Sequence, residues 1–154
     1  MELGTGYFNS TLDDKGRLSL PVRLRTALTG VTPVLTQGAD GCLRLYHPED
    51  WKIVLKTIMD NTSPFDSSSL IIRRRLIGPT YEMEIDKAGR IAIPSHLREF
   101  AALARDCVVL GQFDYLEIWA DERYRAYLEA HENDFKTGSE ELGALLKKNR
   151  DSGG

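Results

Sequence analysis

The chain has 154 residues, of which 42% are hydrophobic and 28% charged, and its formal net charge is −3. This length suits one large domain or two small fused ones, and the composition is ordinary for a soluble globular protein. The negative net charge argues against binding nucleic acid by bulk electrostatic attraction. The sequence contains no run of about 18 apolar residues, the length that a membrane-spanning helix needs. We therefore expect a cytoplasmic protein with no membrane partner.

The first elements along the chain are two short strands in which apolar and polar residues alternate. STL at 10–12 precedes a Gly turn and RLSLPV at 17–22 follows it, which predicts a half-buried β-hairpin. Pro21 ends the second strand and suits the first turn of a short helix, VRLRTAL. PVLTQ and CLRLY then predict a second pair of strands, and PEDWKIVLKTIMDN has the spacing and the early acids of a helix.

The same order of elements recurs 73 residues downstream. LDDKGRLSLPVRLR at 12–25 matches IDKAGRIAIPSHLR at 85–98, and LRLYHPEDW at 43–51 matches LEIWADERY at 116–124. Two units of about 50 residues with a linker indicate a tandem duplication rather than a solenoid. Because each half alone buries too little, we expect both halves to interlock around one core. The alternation predicts that the inward-facing strand residues are Leu18, Leu20, Ile91 and Ile93.

These matches divide the chain into a first repeat at 1–60, a linker with an Arg-rich helix at 61–77, a second repeat at 78–133 and a tail at 134–154. The three arginines of LIIRRRLIG spread around their helix, so they cannot all face one partner. In the tail we expect at most a short helix and a disordered end.

The two cysteines, Cys42 and Cys107, do not match under the offset and each leads into an apolar strand. We expect buried free thiols rather than a disulfide or a metal site.

Each repeat carries a loop in which an Asp is followed three residues later by Gly and four later by Arg. We call residues 13–17 the first signature loop and residues 86–90 the second. Asp accepts backbone N–H bonds at a tight turn and Gly supplies positive φ. The residues expected to shape the loops are therefore Asp13, Gly16, Asp86 and Gly89.

Two pairs of matched arginines are not explained by turn chemistry. Arg17 and Arg90 either pair with the Asp of their own loop or contact a ligand, and their spacing leaves both readings open. Arg25 and Arg98 lie inside the short helices, where a partly buried ion pair is favoured over a ligand contact.

The residues that could carry chemistry do not form the arrangement of an enzyme. A duplicated Asp loop is a feature of aspartic proteases, whose two carboxylates share a proton, but the Lys near each Asp here would lower its pKa. None of the three histidines has a second His or Cys nearby, and no nucleophile stands beside a base. No glycine loop typical of phosphate binding is present. We therefore predict a non-enzymatic protein with no metal or cofactor.

Taken together, these motifs resemble the MraZ family of bacterial transcriptional regulators, which belongs with the AbrB-like swapped-hairpin proteins. The resemblance runs from Leu3 to about Tyr127 and rests on the duplicated Asp-x-x-x-Arg signature with GRLSLP, GRIAIP, VVLGQFDYLEIW and RRRLIG. It implies an α+β fold of two tandem pseudo-symmetric swapped-hairpin (SpoVT-AbrB type) β-barrel units with short flanking helices.

The resemblance also implies a sequence-specific regulator that binds double-stranded DNA and is associated with the nucleoid. Its targets would be G-rich direct repeats upstream of the division and cell-wall gene cluster, its own gene included, and it would assemble into a homo-oligomeric ring. The family's DNA contacts carry over onto Arg17 and Arg90, while Lys15 and Lys87 join them as candidates at different places in the loops. The alternative is a ring-forming scaffold protein whose Asp–Arg loops are subunit contacts.

Overall fold

The computed structural model describes residues 2–153, which divide into two compact units after Asp121. The strands are β1 (Gly4–Thr11), β2 (Arg17–Ser19), β3 (Val34–Gln37), β4 (Leu43–Tyr46), β5 (Tyr81–Glu82), β6 (Arg90–Ala92), β7 (Asp106–Phe113) and β8 (Tyr115–Ala120). The helices of the first unit are α1 (Val22–Arg25), α2 (Pro48–Asp60), α3 (Ser67–Leu76) and α4 (Ser95–Phe100). The predicted α+β class is confirmed.

All the strands pair antiparallel, and they form two sheets. Each sheet contains strands from both repeats. The larger sheet has the order β1-β7-β8-β4-β3-β5, and β2 pairs with β6 alone. Under the offset of 73 residues, β1 corresponds to β5, β3 to β7 and β4 to β8. The first strand of each repeat therefore pairs with a strand of the other repeat. Among residues 2–153 both sheets stay open, with β1 and β5 as the edges of the larger one, so the expected closed barrels are absent.

The predicted hairpin between the first two strands of each repeat is wrong, because the first strand pairs with another partner. In the first repeat both strands form, but β1 pairs with β7, and an isolated bridge between Leu12 and Leu18 and a hydrogen bond from Ser10 Oγ to the Ser19 carbonyl link it to β2. In the second repeat the first strand, β5, pairs with β3. Alternation fixes which face of a strand is buried and does not fix its partner. The second strand pairs, β3 with β4 and β7 with β8, form as predicted.

The two repeats share one apolar core. Leu18 lies opposite Ile91 in the β2–β6 pair, and both side chains are fully buried. Leu20 and Ile93 are buried at the ends of these strands, which confirms the predicted inward-facing set. Burying each such side chain contributes about 1.5–3 kcal/mol, so the strand pair that joins the repeats is a substantial source of stability.

The linker helix α3 is capped at its start and bonded to neighbouring segments near its end. Asp66 caps its start by accepting the backbone N–H of Ser68. Near its end, Arg73 donates from Nε to Thr62 Oγ1 at 2.7 Å, and the Leu76 carbonyl accepts from Thr36 Oγ1 at 3.1 Å. Arg74 and Arg75 are exposed.

The C-terminal residues form a long helix, contrary to the prediction of at most a short one. Helix α5 (Asp121–Ala130) begins at the last residue of the first unit, and α6 (Glu132–Ser152) runs for 21 residues in the second. The strong helix formers in EELGALLKK outweigh Gly138 and Gly143, and acids in the first turn with Arg150 in the last suit the helix dipole. Its exposed apolar side chains are Phe135, Leu142, Leu145 and Leu146.

Across residues 2–153, every helix is too short or too polar to cross a membrane.

Candidate functional site

The first signature loop is a tight turn organised by Asp13. Its Oδ1 accepts the backbone N–H groups of Lys15 at 2.9 Å and Arg17 at 2.8 Å. Gly16 has φ 78°, in the region that glycine adopts without steric cost, and donates its N–H to the Asp13 carbonyl. The other carboxylate oxygen, Oδ2, accepts Nε of Arg17 at 2.8 Å. One carboxylate therefore shapes the turn and also orients the arginine.

The second signature loop repeats this geometry. Asp86 Oδ1 accepts the backbone N–H groups of Ala88 and Arg90, both at 2.9 Å, and Oδ2 accepts Nε of Arg90 at 3.0 Å. Gly89 has φ 79°. Each signature arginine thus pairs with the Asp of its own loop, the first of the two readings that spacing left open. The pairing uses Nε, which leaves the terminal nitrogens of Arg17 to donate elsewhere.

The two loops lead into the starts of β2 and β6, at opposite ends of this short antiparallel pair, which spans three residues in each strand. These strands run antiparallel with Arg17 opposite Ala92 and Ser19 opposite Arg90. As a result, Arg90 Nη1 lies 3.7 Å from Oδ2 of Asp13, the same oxygen that accepts Arg17 Nε. Both guanidinium side chains remain about one-third exposed, at 33% and 31%. The result is a pair of solvent-accessible, oriented cations on one surface.

Both Asp carboxylates are held in the ionised form. The backbone N–H of Arg17 is the main cause that lowers the pKa of Asp13 from its ordinary value of 3.8, and the Arg90 backbone N–H does the same for the pKa of Asp86. Hydrogen bonds to the charged form stabilise it. The ion pairs are therefore complete at neutral pH, and the two carboxylates share no proton.

The two signature-loop lysines are exposed but lie at different places. Lys15 is two residues after Asp13, whereas Lys87 directly follows Asp86. The offset aligns Lys15 with Ala88 and Lys87 with Asp14. Each loop therefore carries one exposed lysine, two residues before its arginine in the first loop and three before it in the second.

The structure corrects the reading of Arg25 and Arg98 as members of ion pairs. Arg25 donates from Nη1 to the carbonyl of Ala88 at 3.2 Å, and Nε of Arg98 is buried without a hydrogen-bond partner among the described residues. Both side chains lie against the signature loop of the other repeat, where their guanidinium groups occupy the space beside Gly89 and Gly16. The one signal for this role in the sequence is the offset of 73 that links the two arginines.

Other reactive groups are either buried or dispersed. Cys42 and Cys107 are buried free thiols, as predicted. Burial raises the pKa of Cys42 to about 12 and that of Cys107 to about 11, so neither is a thiolate at neutral pH. The described residues contain no group of three His, Cys, Asp or Glu side chains that could hold a metal ion.

Fold and site together define an α+β protein in which two matched arginine loops are linked through the β2–β6 strand pair and the contact of Arg90 with Asp13. The sequence matches the model of the family described as "MraZ protein, putative antitoxin-like" over residues 4–70 and 76–144. The chain belongs to this family.

Individual relatives agree with the family match over most of their length. A protein named transcriptional regulator MraZ from Treponema denticola is 42% identical over 92% of this chain and 98% of that protein. The protein of that name from Treponema pallidum is 46% identical, covering 92% and 95%. The one from Saccharopolyspora erythraea is 39% identical, covering 92% and 96%.

Proposed function

We propose that this protein is a sequence-specific DNA-binding transcriptional regulator, acting in the cytoplasm at the nucleoid. Its targets are G-rich direct repeats upstream of the division and cell-wall gene cluster, including its own gene. The relatives' shared name supports the regulatory role. The observation that carries the DNA-binding role is the contact of Arg17 and Arg90 with one oxygen of Asp13, because it sets two oriented arginines side by side.

The chemistry of these arginines suits guanine. Asp13 and Asp86 hold the Nε edges, so the terminal nitrogens of Arg17 can donate together to guanine O6 and N7 in the major groove. Arg90 Nη1 also faces Asp13 Oδ2 at 3.7 Å and keeps a second N–H for the same kind of contact. A rigid ion pair also reduces the side-chain entropy lost on binding. Lys15 and Lys87 are exposed beside them and suit phosphate, since an ammonium is a compact charge without a planar fork.

We propose that the working unit is a homo-oligomeric ring. A single chain of net charge −3 is a poor ligand for DNA, and one bidentate contact discriminates between bases by only about 1–3 kcal/mol. Repeated loops that meet repeated DNA boxes multiply weak contacts through effective concentration. Large apolar side chains are exposed in each unit, Phe65 at 97% in the first and those of α6 in the second, and they support an assembly that covers some of them.

We assign the architecture to the AbrB-like swapped-hairpin class, with the duplicated units at 1–60 and 78–133, the linker at 61–77 and the tail at 134–154. The crossed pairing of β1 with β7 and of β5 with β3 supports this assignment, because each repeat supplies a strand to the other.

The deciding experiment compares Arg17→Ala and Arg90→Ala with the unaltered protein for DNA binding and for mass in solution. Binding would be measured on DNA from upstream of its own gene, where footprinting would locate the boxes. We expect both variants to keep the oligomeric mass and to lose specific binding. Loss of the oligomer instead would favour the scaffold protein whose Asp–Arg loops are subunit contacts.

A further inference from the structure

We propose that Arg25 and Arg98 are positioning residues that hold each signature loop in place from the opposite repeat. Arg25 of the first repeat supports the second loop, and Arg98 of the second repeat supports the first. This inference rests on the proposed function, because it assigns these residues to the same DNA-contacting loops.

The contact at the second loop is a polar one combined with close packing. Arg25 Nη1 donates to the Ala88 carbonyl at 3.2 Å, directly before Gly89. A Cβ added to Gly89 would overlap the Arg25 guanidinium, so glycine is required here for space as well as for its φ of 79°. Although it lies in a surface loop, Gly89 is buried. The inner side of the loop is therefore closed by a planar cation from the other repeat.

The contact at the first loop repeats the close packing. Nη1 of Arg98 would lie 2.5 Å from a Cβ added to Gly16, and Gly16 is likewise buried. Nε of Arg98 is buried without a hydrogen-bond partner among residues 2–153. The contact of Arg98 with the first loop is therefore one of packing beside Gly16 and not a hydrogen bond from Nε.

Backbone hydrogen bonds cross between the repeats at the same two points. The N–H of Leu20 donates to the Gly89 carbonyl and the N–H of Ile93 donates to the Gly16 carbonyl, both at 2.9 Å. Each signature loop is thus fixed by its own Asp on the outer side and by the other repeat on the inner side. Removing one inner arginine should loosen one loop, and that loop belongs to the opposite repeat.

Two other roles would give different behaviour. An arginine that contacts phosphate directly adds about one unit to the salt dependence of binding, whereas a positioning residue adds none. An arginine that only stabilises the fold would affect both loops equally. The crossed pattern is therefore the distinguishing property.

Double-mutant cycles on DNA from upstream of the protein's own gene test this pattern. We expect Arg25→Met to weaken binding about tenfold, the order of one lost charge-assisted hydrogen bond, with an unchanged salt dependence. In an Arg90→Ala background the same change should have little further effect, while in an Arg17→Ala background the full loss should reappear. Arg23→Met is the matched control, since Arg23 is exposed on the same helix. Equal losses in both backgrounds, or no loss, would overturn the proposal.

Hydrogen exchange without DNA separates this proposal from the proposed function. In Arg25→Met the amides of Ala88 and Arg90 should exchange faster while those of Lys15 and Arg17 stay unchanged, and Arg98→Met should give the reverse. If Arg25→Met fails to fold, Arg25→Lys keeps the charge without the planar fork and should show the same local effect.

Unchanged exchange in the opposite loop would refute the support role even if DNA binding by Arg17 and Arg90 is established. A crossed exchange pattern without any effect of Arg17→Ala on DNA would instead refute the proposed function alone.

Discussion

The two signature loops have the same hydrogen bonds but different charges around them. Asp13 contacts the arginines of both loops, whereas the described ion pair of Asp86 is with Arg90 alone. Lys15 aligns with Ala88, and Lys87 aligns with Asp14. The shared features are those that a tight turn and a common core require. The differing ones lie on the exposed side, where we infer that they adjust how each loop meets DNA.

The largest effect is expected where the two loops are most alike, at their buried glycines. Gly89→Ala should destabilise the protein through positive φ, by about 1–2 kcal/mol, and through overlap with Arg25, by about 1–3 kcal/mol more. Gly30 has φ 74° with open space around it, so Gly30→Ala isolates the backbone contribution. Chemical denaturation gives both losses. Equal losses at the two positions would mean that Arg25 does not crowd the loop.

A second prediction uses pH to separate the roles of Asp13 and Asp86. Because the folded-state pKa of each carboxyl lies below its ordinary 3.8, the stabilisation by the loop contacts is complete above about pH 3.8 and is lost as the pH falls through the lowered values. In an NMR titration, protonation of Asp13 should shift the side-chain signals of Arg17 and Arg90 together. Protonation of Asp86 should shift only that of Arg90. Asp13→Asn and Asp86→Asn identify which carboxyl causes each change, and identical responses would remove the asymmetry between the loops.

The smallest effect is expected from the lysines that differ between the loops. Lys15→Ala should weaken binding to all DNA sequences and reduce the steepness of the salt dependence by about one unit, and Lys87→Ala should do the same. Isotherms over a salt series on operator and scrambled DNA measure both effects. A loss confined to operator DNA would show that the lysine reads bases.

The features shared by the two loops could be predicted from the sequence because they depend on local chemistry. The Asp-to-Arg spacing and the alternation around Leu18 and Ile91 are local patterns, and they predicted the repeats and the shared core. The pairing of β1 with β7 was not predictable in the same way, because alternation specifies a face and leaves the partner open.

The roles of Arg25 and Arg98 and the length of α6 were not predicted from the sequence, for two different reasons. The arginines act across a distance of more than 60 residues in the sequence, beyond any local pattern. In α6, two glycines favour an interrupted helix, but the strong helix formers around them keep it continuous.

The most direct test of the account compares Arg17→Lys and Arg90→Lys with the unaltered protein on operator and scrambled DNA across a salt series. Lysine keeps the charge but lacks the planar fork that can reach guanine O6 and N7 together. We expect each variant to retain most of the salt dependence and to lose roughly 1–3 kcal/mol of preference for the guanine-containing boxes. Equal losses of affinity for the two DNAs would contradict base reading by these arginines and would leave them as phosphate contacts.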